Sequence, residues 1–283
     1  MENPTSIVEN KKDVQDNILQ DLQKIPILVY HKINSTSELG INSIAPKKFA
    51  AHIKHLYEMG YRTVTVRDIL FETPLPPKPL IITFDDGYAS VHSNAFEILD
   101  YYDYKAMVFV ISEFIGKLNI WDATLGWQQS RHLSAEELNQ FVQCGWEIGS
   151  HSRTHRSLVN LNKDALSREL KESKDKIESI TGKEVSSLAY PFGFYNVNVK
   201  TLASESGYYF GFKNFSLHAE IRDLFEIQRI PIYIFDSKKS IERKIKSFKF
   251  SRIRRLCTKI LGCPAHLTPY YQLFFRRHLF LDM

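Results

Sequence analysis

The 283-residue sequence predicts an α/β fold: a distorted (β/α) barrel of about seven parallel strands in a single main domain. Three observations predict it. Short apolar runs of strand length alternate with amphipathic helical stretches, the pattern of βαβ units around a parallel sheet. There are seven or eight such runs, which suits barrel closure better than an open sheet. Four of them end, on the C-terminal side, in polar or turn-forming residues, and that is the end where barrels of this kind carry their chemistry.

In chain order, residues 1–22 read as a polar, partly helical leader, and 23–237 as the catalytic domain. "IPILVYH" is a first strand ending at His31. Pro46 to Met59 is an amphipathic helix, with Pro46 at its first position and Phe49, Ile53, Leu56 and Tyr57 on one stripe. "YRTVTV" is a strand, and the stiff "PLPPKP" leads into the strand "LIITF". Val91 to Tyr102 is helical and "KAMVFV" a strand. Ser134 and Glu137 form a capping box for a helix to Cys144, followed by the strand "WEIGS". Asn162 caps a helix to about Ile180 that Gly182 closes. "SSLAYP" is a strand, Val197 to Ser206 a helix, "YYFGF" a strand, and "EIQRIPIYIF" the last strand.

Composition is that of an ordinary globular chain, 43% hydrophobic and 24% charged. The net charge of +5 is uneven: residues 238–283 hold twelve Lys or Arg against Glu242 and Asp282, which leaves about −5 for the rest. The basic balance therefore belongs to a C-terminal extension and says little about the domain's substrate. Cys144, Cys257 and Cys263 match no staple pattern and read as reduced thiols or core residues. The polar N-terminus lacks the apolar segment of a secretory signal, and no run is long and apolar enough to span a bilayer. The expected location is cytoplasmic or at a membrane surface.

The chemistry-bearing residues fall at the strand ends. Asp85 and Asp86 follow "LIITF"; on an extended backbone they point to opposite sides and can take different roles. Alone, such a pair also reads as a helix cap beside a solvated acid. His151 and His155 follow "WEIGS" in "HSRTH", where a turn must bring the imidazoles together. Two imidazoles and a carboxylate form an open divalent-metal triad with room for water. His31 alone, or the turn Pro191–Gly193 alone, has an ordinary structural reading. A carboxylate pair and a histidine pair at apolar strand ends are harder to explain by coincidence.

These residues resemble the polysaccharide deacetylase family, also called the NodB-homology domain or carbohydrate esterase family 4. "TFDDG" at 83–87 is similar to its first motif, "HSRTH" at 151–155 to its second and "AYPFG" at 189–193 to its third, and the resemblance spans roughly residues 25–236. It implies that Asp86, His151 and His155 hold a divalent ion, Zn2+ or Co2+ or similar, and that Asp85 is the general base. It also implies that the Phe192 N–H stabilises an oxyanion. Ala189 stands where the third motif usually has arginine, and no late L-x-x-H motif is visible. A subgroup that includes poly-N-acetylglucosamine deacetylases has an early "YH" motif. "VYHKI" at 29–33 is similar to it, so His31 would supply the acid and Arg229 in "QRIP" would orient the base.

The implied activity is metal-dependent removal of N-acetyl groups from an N-acetylated sugar or glycan. The alternatives are a related deformylase or amidase and a catalytically silent carbohydrate-binding barrel. A non-haem iron oxygenase shares the facial triad but needs an all-β fold that these helices contradict. Trp121, Trp127 and Trp146 are candidates for sugar stacking, although Trp146 lies in a strand and reads rather as a core residue. The extension 238–283 reads as a helix packed on the barrel or as a peripheral contact with anionic lipid. No nucleic-acid-binding module is recognisable, so nucleic acid is not an expected partner.

Overall fold

The computed structural model describes residues 4–34, 41–119, 130–214 and 223–247. Its strands are β1 (Ile27–Tyr30), β2 (Lys32–Ile33), β3 (Ser43–Ile44), β4 (Arg62–Thr63), β5 (Pro79–Phe84), β6 (Met107–Val110), β7 (Glu147–Ser150), β8 (Ser187–Ala189), β9 (Phe210–Lys213), β10 (Ile227–Gln228) and β11 (Ile230–Pro231). The helices are α1 (Pro4–Lys24), α2 (Pro46–Glu58), α3 (Val66–Leu70), α4 (Ser90–Asn94), α5 (Phe96–Asp100), α6 (Ala135–Gln143), α7 (Lys163–Thr181), α8 (Val197–Glu205) and α9 (Lys238–Ser247).

Every pairing among the described strands is parallel. The main sheet runs β10-β9-β8-β7-β6-β5-β1-β11, with β4 beside the start of β5 and β2–β3 as a separate pair. β10 and β11 are two halves of one stretch, interrupted at Arg229. The first half pairs with β9 and the second with β1, so the sheet returns on itself as seven staves. This is the expected distorted (β/α) barrel.

The two-residue alternation of the strands sorts their side chains. Leu28, Tyr30, Ile82, Phe84, Val108, Ile148 and Leu188 face outward into the helix layer. Ile27, Ile81, Met107, Phe109, Ala189, Phe210, Phe212 and Ile227 fill the interior together with Ile18, Leu22 and Ile25. Gly149 makes room for this packing, because a Cβ there would meet the Phe109 ring at 2.5 Å. The segment read as a polar leader is thus a helix whose second half closes the mouth where the strands begin. Likewise, α9 lies inside the stretch read as an extension, yet Ile241 and Ile245 are buried against the outer core.

Local departures from expectation have local causes. In "YRTVTV" only Arg62–Thr63 is strand, because Thr65 and Asp68 form a capping box that starts α3. The helix read over Val91–Tyr102 is interrupted at Ala95 into α4 and α5. The capping box of Ser134 with Glu137, the Asn162 cap and the left-handed Gly182 all form as read. Trp146 stacks on Phe141 at 4.4 Å inside the core. Cys144 is exposed at the end of α6. Trp121, Trp127, Cys257, Cys263 and residues 248–283 lie outside the described residues.

Candidate active site

The ends of β1, β5, β7 and β8 deliver His31, Asp85–Asp86, His151 and the Pro191–Gly193 turn to one face of the barrel. Asp85 continues the β1–β5 ladder, its N–H donating to Tyr30 O at 3.0 Å. Asp86 does not follow in extended form, as the sequence suggested. Its φ is +69°, so the chain turns there and the second carboxylate is thrown to a different side than a strand would give. Gly87 continues the left-handed turn, packed so closely that a Cβ would lie 2.9 Å from Val110 Cγ1. The Asp86 carbonyl accepts from His132 Nδ1 at 2.8 Å, and His132 stacks on Tyr88.

The loop after β7 is equally constrained. Ser152 and His155 both have positive φ, +63° and +59°. His151 N–H donates to Val110 O and His155 N–H to Ser152 Oγ. The Glu169 carboxylate of α7 accepts from the N–H groups of Arg153 and Thr154, each at 2.9 Å, and from the Thr154 hydroxyl. His151 Nδ1–H donates to Ala189 O at 2.7 Å, which turns its Nε2 lone pair toward Asp86.

Three ligand atoms result. His151 Nε2 and His155 Nε2 lie 3.2 Å apart, and each is 3.4–3.5 Å from Asp86 Oδ1. A tetrahedral ion with bonds of about 2.0–2.1 Å has ligand edges of about 3.3–3.4 Å, so this buried triangle fits a zinc-like ion.

Asp85 is not part of the triangle. Its two oxygens accept from Arg229 Nη1 and Nη2 at 2.6 and 2.7 Å, a bidentate fork sealed from solvent. Arg229 Nη1 also reaches Thr83 Oγ1, and the guanidinium lies against the rings of Phe109 and Phe212. Burial alone would raise the Asp85 pKa, but Arg229, then His151 and His31, hold it below the usual carboxylate range. Asp86 is also held low: the His151 hydrogen bond and the nearby histidines outweigh its burial. His151 is raised, the two aspartates outweighing burial. His155 is lowered by burial and by His151. His31 is close enough for its field to act on both aspartates, and its Nδ1 is buried without a hydrogen-bond partner.

Phe192 occupies a tight turn after β8 with φ +61° and its ring edge-on to His155 at 4.6 Å. Gly193 N–H to Tyr190 O at 2.8 Å holds that turn. Six of the seven residues singled out from the sequence therefore lie at the strand-end face of the barrel, and the seventh, Arg229, lies just beneath it in the interior. Sequence reasoning missed His132 and Glu169. The signal for Glu169 was present, an acid in phase with Leu166, Leu170 and Ile177 on the inner stripe of α7.

Fold and site together define a parallel (β/α) barrel with a candidate divalent-metal centre beside a buried Asp–Arg pair. The polysaccharide deacetylase family pattern matches residues 72–211. The Bacillus subtilis (strain 168) protein YxkH is 31% identical over 192 residues, 66% of this chain and 63% of that protein. A poly-beta-1,6-N-acetyl-D-glucosamine N-deacetylase of Staphylococcus aureus (strain MRSA252) is 24% identical over 63% of each chain. The chain therefore spans 63% of the length of each of these relatives. Among solved structures, a polysaccharide deacetylase from Bacillus cereus superposes with a TM-score of 0.64 at 28% identity, over 78% of this chain and 68% of that one. The chain belongs to the polysaccharide deacetylase family.

Proposed function

We propose that this protein is a metal-dependent N-deacetylase that acts on an N-acetylated sugar or glycan, releasing acetate and a free amine. One observation carries the reading: a ligand triangle of metal-fitting size stands beside a carboxylate that does not belong to it and is held ionised by a buried arginine. Family membership and a relative named as a poly-beta-1,6-N-acetyl-D-glucosamine N-deacetylase support an amino-sugar polymer as the substrate class.

Asp86, His151 and His155 would hold the ion, Zn2+ or Co2+ by the chemistry of the donors. Such an ion, when bound, acidifies water and polarises a carbonyl. Asp85 accepts the proton of the attacking water as general base; Arg229 fixes both of its oxygens and keeps it charged. The Phe192 N–H donates to the developing oxyanion, a contact worth about 3 kcal/mol. His31 delivers a proton to the departing nitrogen, and its unpartnered buried Nδ1 supports a role toward a bound molecule. The decisive experiment combines metal analysis with acetate release from a panel of N-acetylated sugars and oligomers. Formate or ring-opened product without acetate would favour the amidase alternative. Metal without any turnover would favour the silent binding barrel.

The exposed stripe Lys239, Arg243 and Lys246 on α9 supports the further expectation of a peripheral contact with anionic lipid. No described helix is long and apolar enough to cross a membrane.

A further inference from the structure

Along the inner stripe of α7, Leu166, Glu169, Leu170, Ser173 and Ile177 are spaced to face the barrel. Leu166, Leu170 and Ile177 belong to the core. The two polar residues break the apolar pattern, and a carboxylate buried to 4% exposure is costly unless its oxygens are satisfied. Both face the loop that carries the histidine pair. Glu169 binds the backbone N–H groups of Arg153 and Thr154 and the Thr154 hydroxyl. Ser173 Oγ meets Ser150 Oγ at 2.7 Å, and Ser150 Oγ accepts from Ser152 N–H. Ser152 Oγ in turn accepts from His155 N–H. Of the bonded loop residues, Ser152 and His155 are the two left-handed positions, and Arg153 and Thr154 adjoin them. Without these bonds the loop would relax toward ordinary backbone, and the 3.2 Å spacing of the two Nε2 atoms would open.

We propose that Glu169 is a positioning residue for the candidate metal centre. It clamps residues 153–154 and so sets the backbone that presents His151 and His155 at ligand spacing, although it touches neither imidazole. This inference rests on the reading that Asp86, His151 and His155 hold a divalent ion.

The test uses the full chain, stripped of metal and titrated with Co2+ by visible absorption, together with amide exchange of residues 153–155 in the metal-free protein. Glu169→Ala is expected to weaken Co2+ binding tenfold or more, the usual scale for losing an outer support of a metal ligand. It is also expected to speed exchange at Arg153 and Thr154. Glu169→Gln can keep all the contacts, its carbonyl accepting both N–H groups and its amide donating to the reversed Thr154 hydroxyl. It should bind Co2+ within about threefold of wild type. If Glu169→Ala does not fold, Thr154→Val removes one clamp donor and should speed the same exchange to a smaller degree. A folded Glu169→Ala with wild-type Co2+ affinity and exchange overturns the proposal. So does a Glu169→Gln as weak as Glu169→Ala, because charge rather than geometry would then be at work. A wild-type chain that binds no Co2+ would instead remove the metal reading, while amide exchange would still decide whether Glu169 holds the loop.

Discussion

At the scale of single residues, the adjacent acids Asp85 and Asp86 coexist because their surroundings differ. One is paired with a guanidinium and the other with two imidazoles. Asp85→Asn should lower turnover by at least about 100-fold while leaving metal content intact; loss of metal would mean that the two roles are reversed. His31→Ala should lower turnover by about 10²–10⁴-fold with metal retained, and near-normal rates would return His31 to a structural role. The residue types of the site were legible because all but Arg229, which interrupts the last strand, follow the end of an apolar strand. The geometry was not. The positive φ of Asp86, Ser152, His155 and Phe192 follows from how the loops pack on neighbouring strands and helices, which local spacing does not encode.

Among the elements, α2 carries a built-in pH response. His52 is buried on its inner face, with Nε2 3.1 Å from Asp236 O. Burial, with smaller effects of Lys48 and Lys244, pushes its pKa from 6.5 to about 4. Between those values the unfolded chain binds more protons than the folded one, so its contribution is complete above pH 6.5 and is lost as pH falls toward 4. The loss approaches about 3 kcal/mol. His132 is pushed to about 4 by burial as well and adds to the same slope. Denaturant unfolding at pH 7 and pH 4.5 should show a large drop for wild type and a smaller one for His52→Gln; equal drops would exclude the assignment. The stripe read for this helix held for Phe49, Ile53 and Leu56, but Tyr57 is exposed and His52 takes the inner face instead, because its burial depends on contact with the loop at Asp236, 184 residues away.

For the molecule as a whole, the parallel barrel was readable from the alternation of strands and helices. What fills its lower mouth was not. Among the described side chains of α1, its inner face is made by Ile18, Leu19 and Leu22 near the end of the helix. Leu22→Ala should cost about 2–5 kcal/mol of stability yet leave Co2+ affinity unchanged, since Leu22 packs at the end of the barrel opposite the triangle. Altered metal affinity would show that the two ends are coupled. Sedimentation with anionic vesicles, released by high salt, is expected if the basic helix α9 meets lipid; indifference to anionic lipid would remove that role.

A closed sheet has no edge, so its circumference must be fastened somewhere. Here the fastening is Arg229, the kink at which one strand changes neighbours, and the same side chain steers Asp85. On the proposed mechanism, hoop integrity and proton abstraction therefore share a single clasp. On gentle warming the proposed activity should be lost as that clasp loosens, before the staves themselves come apart.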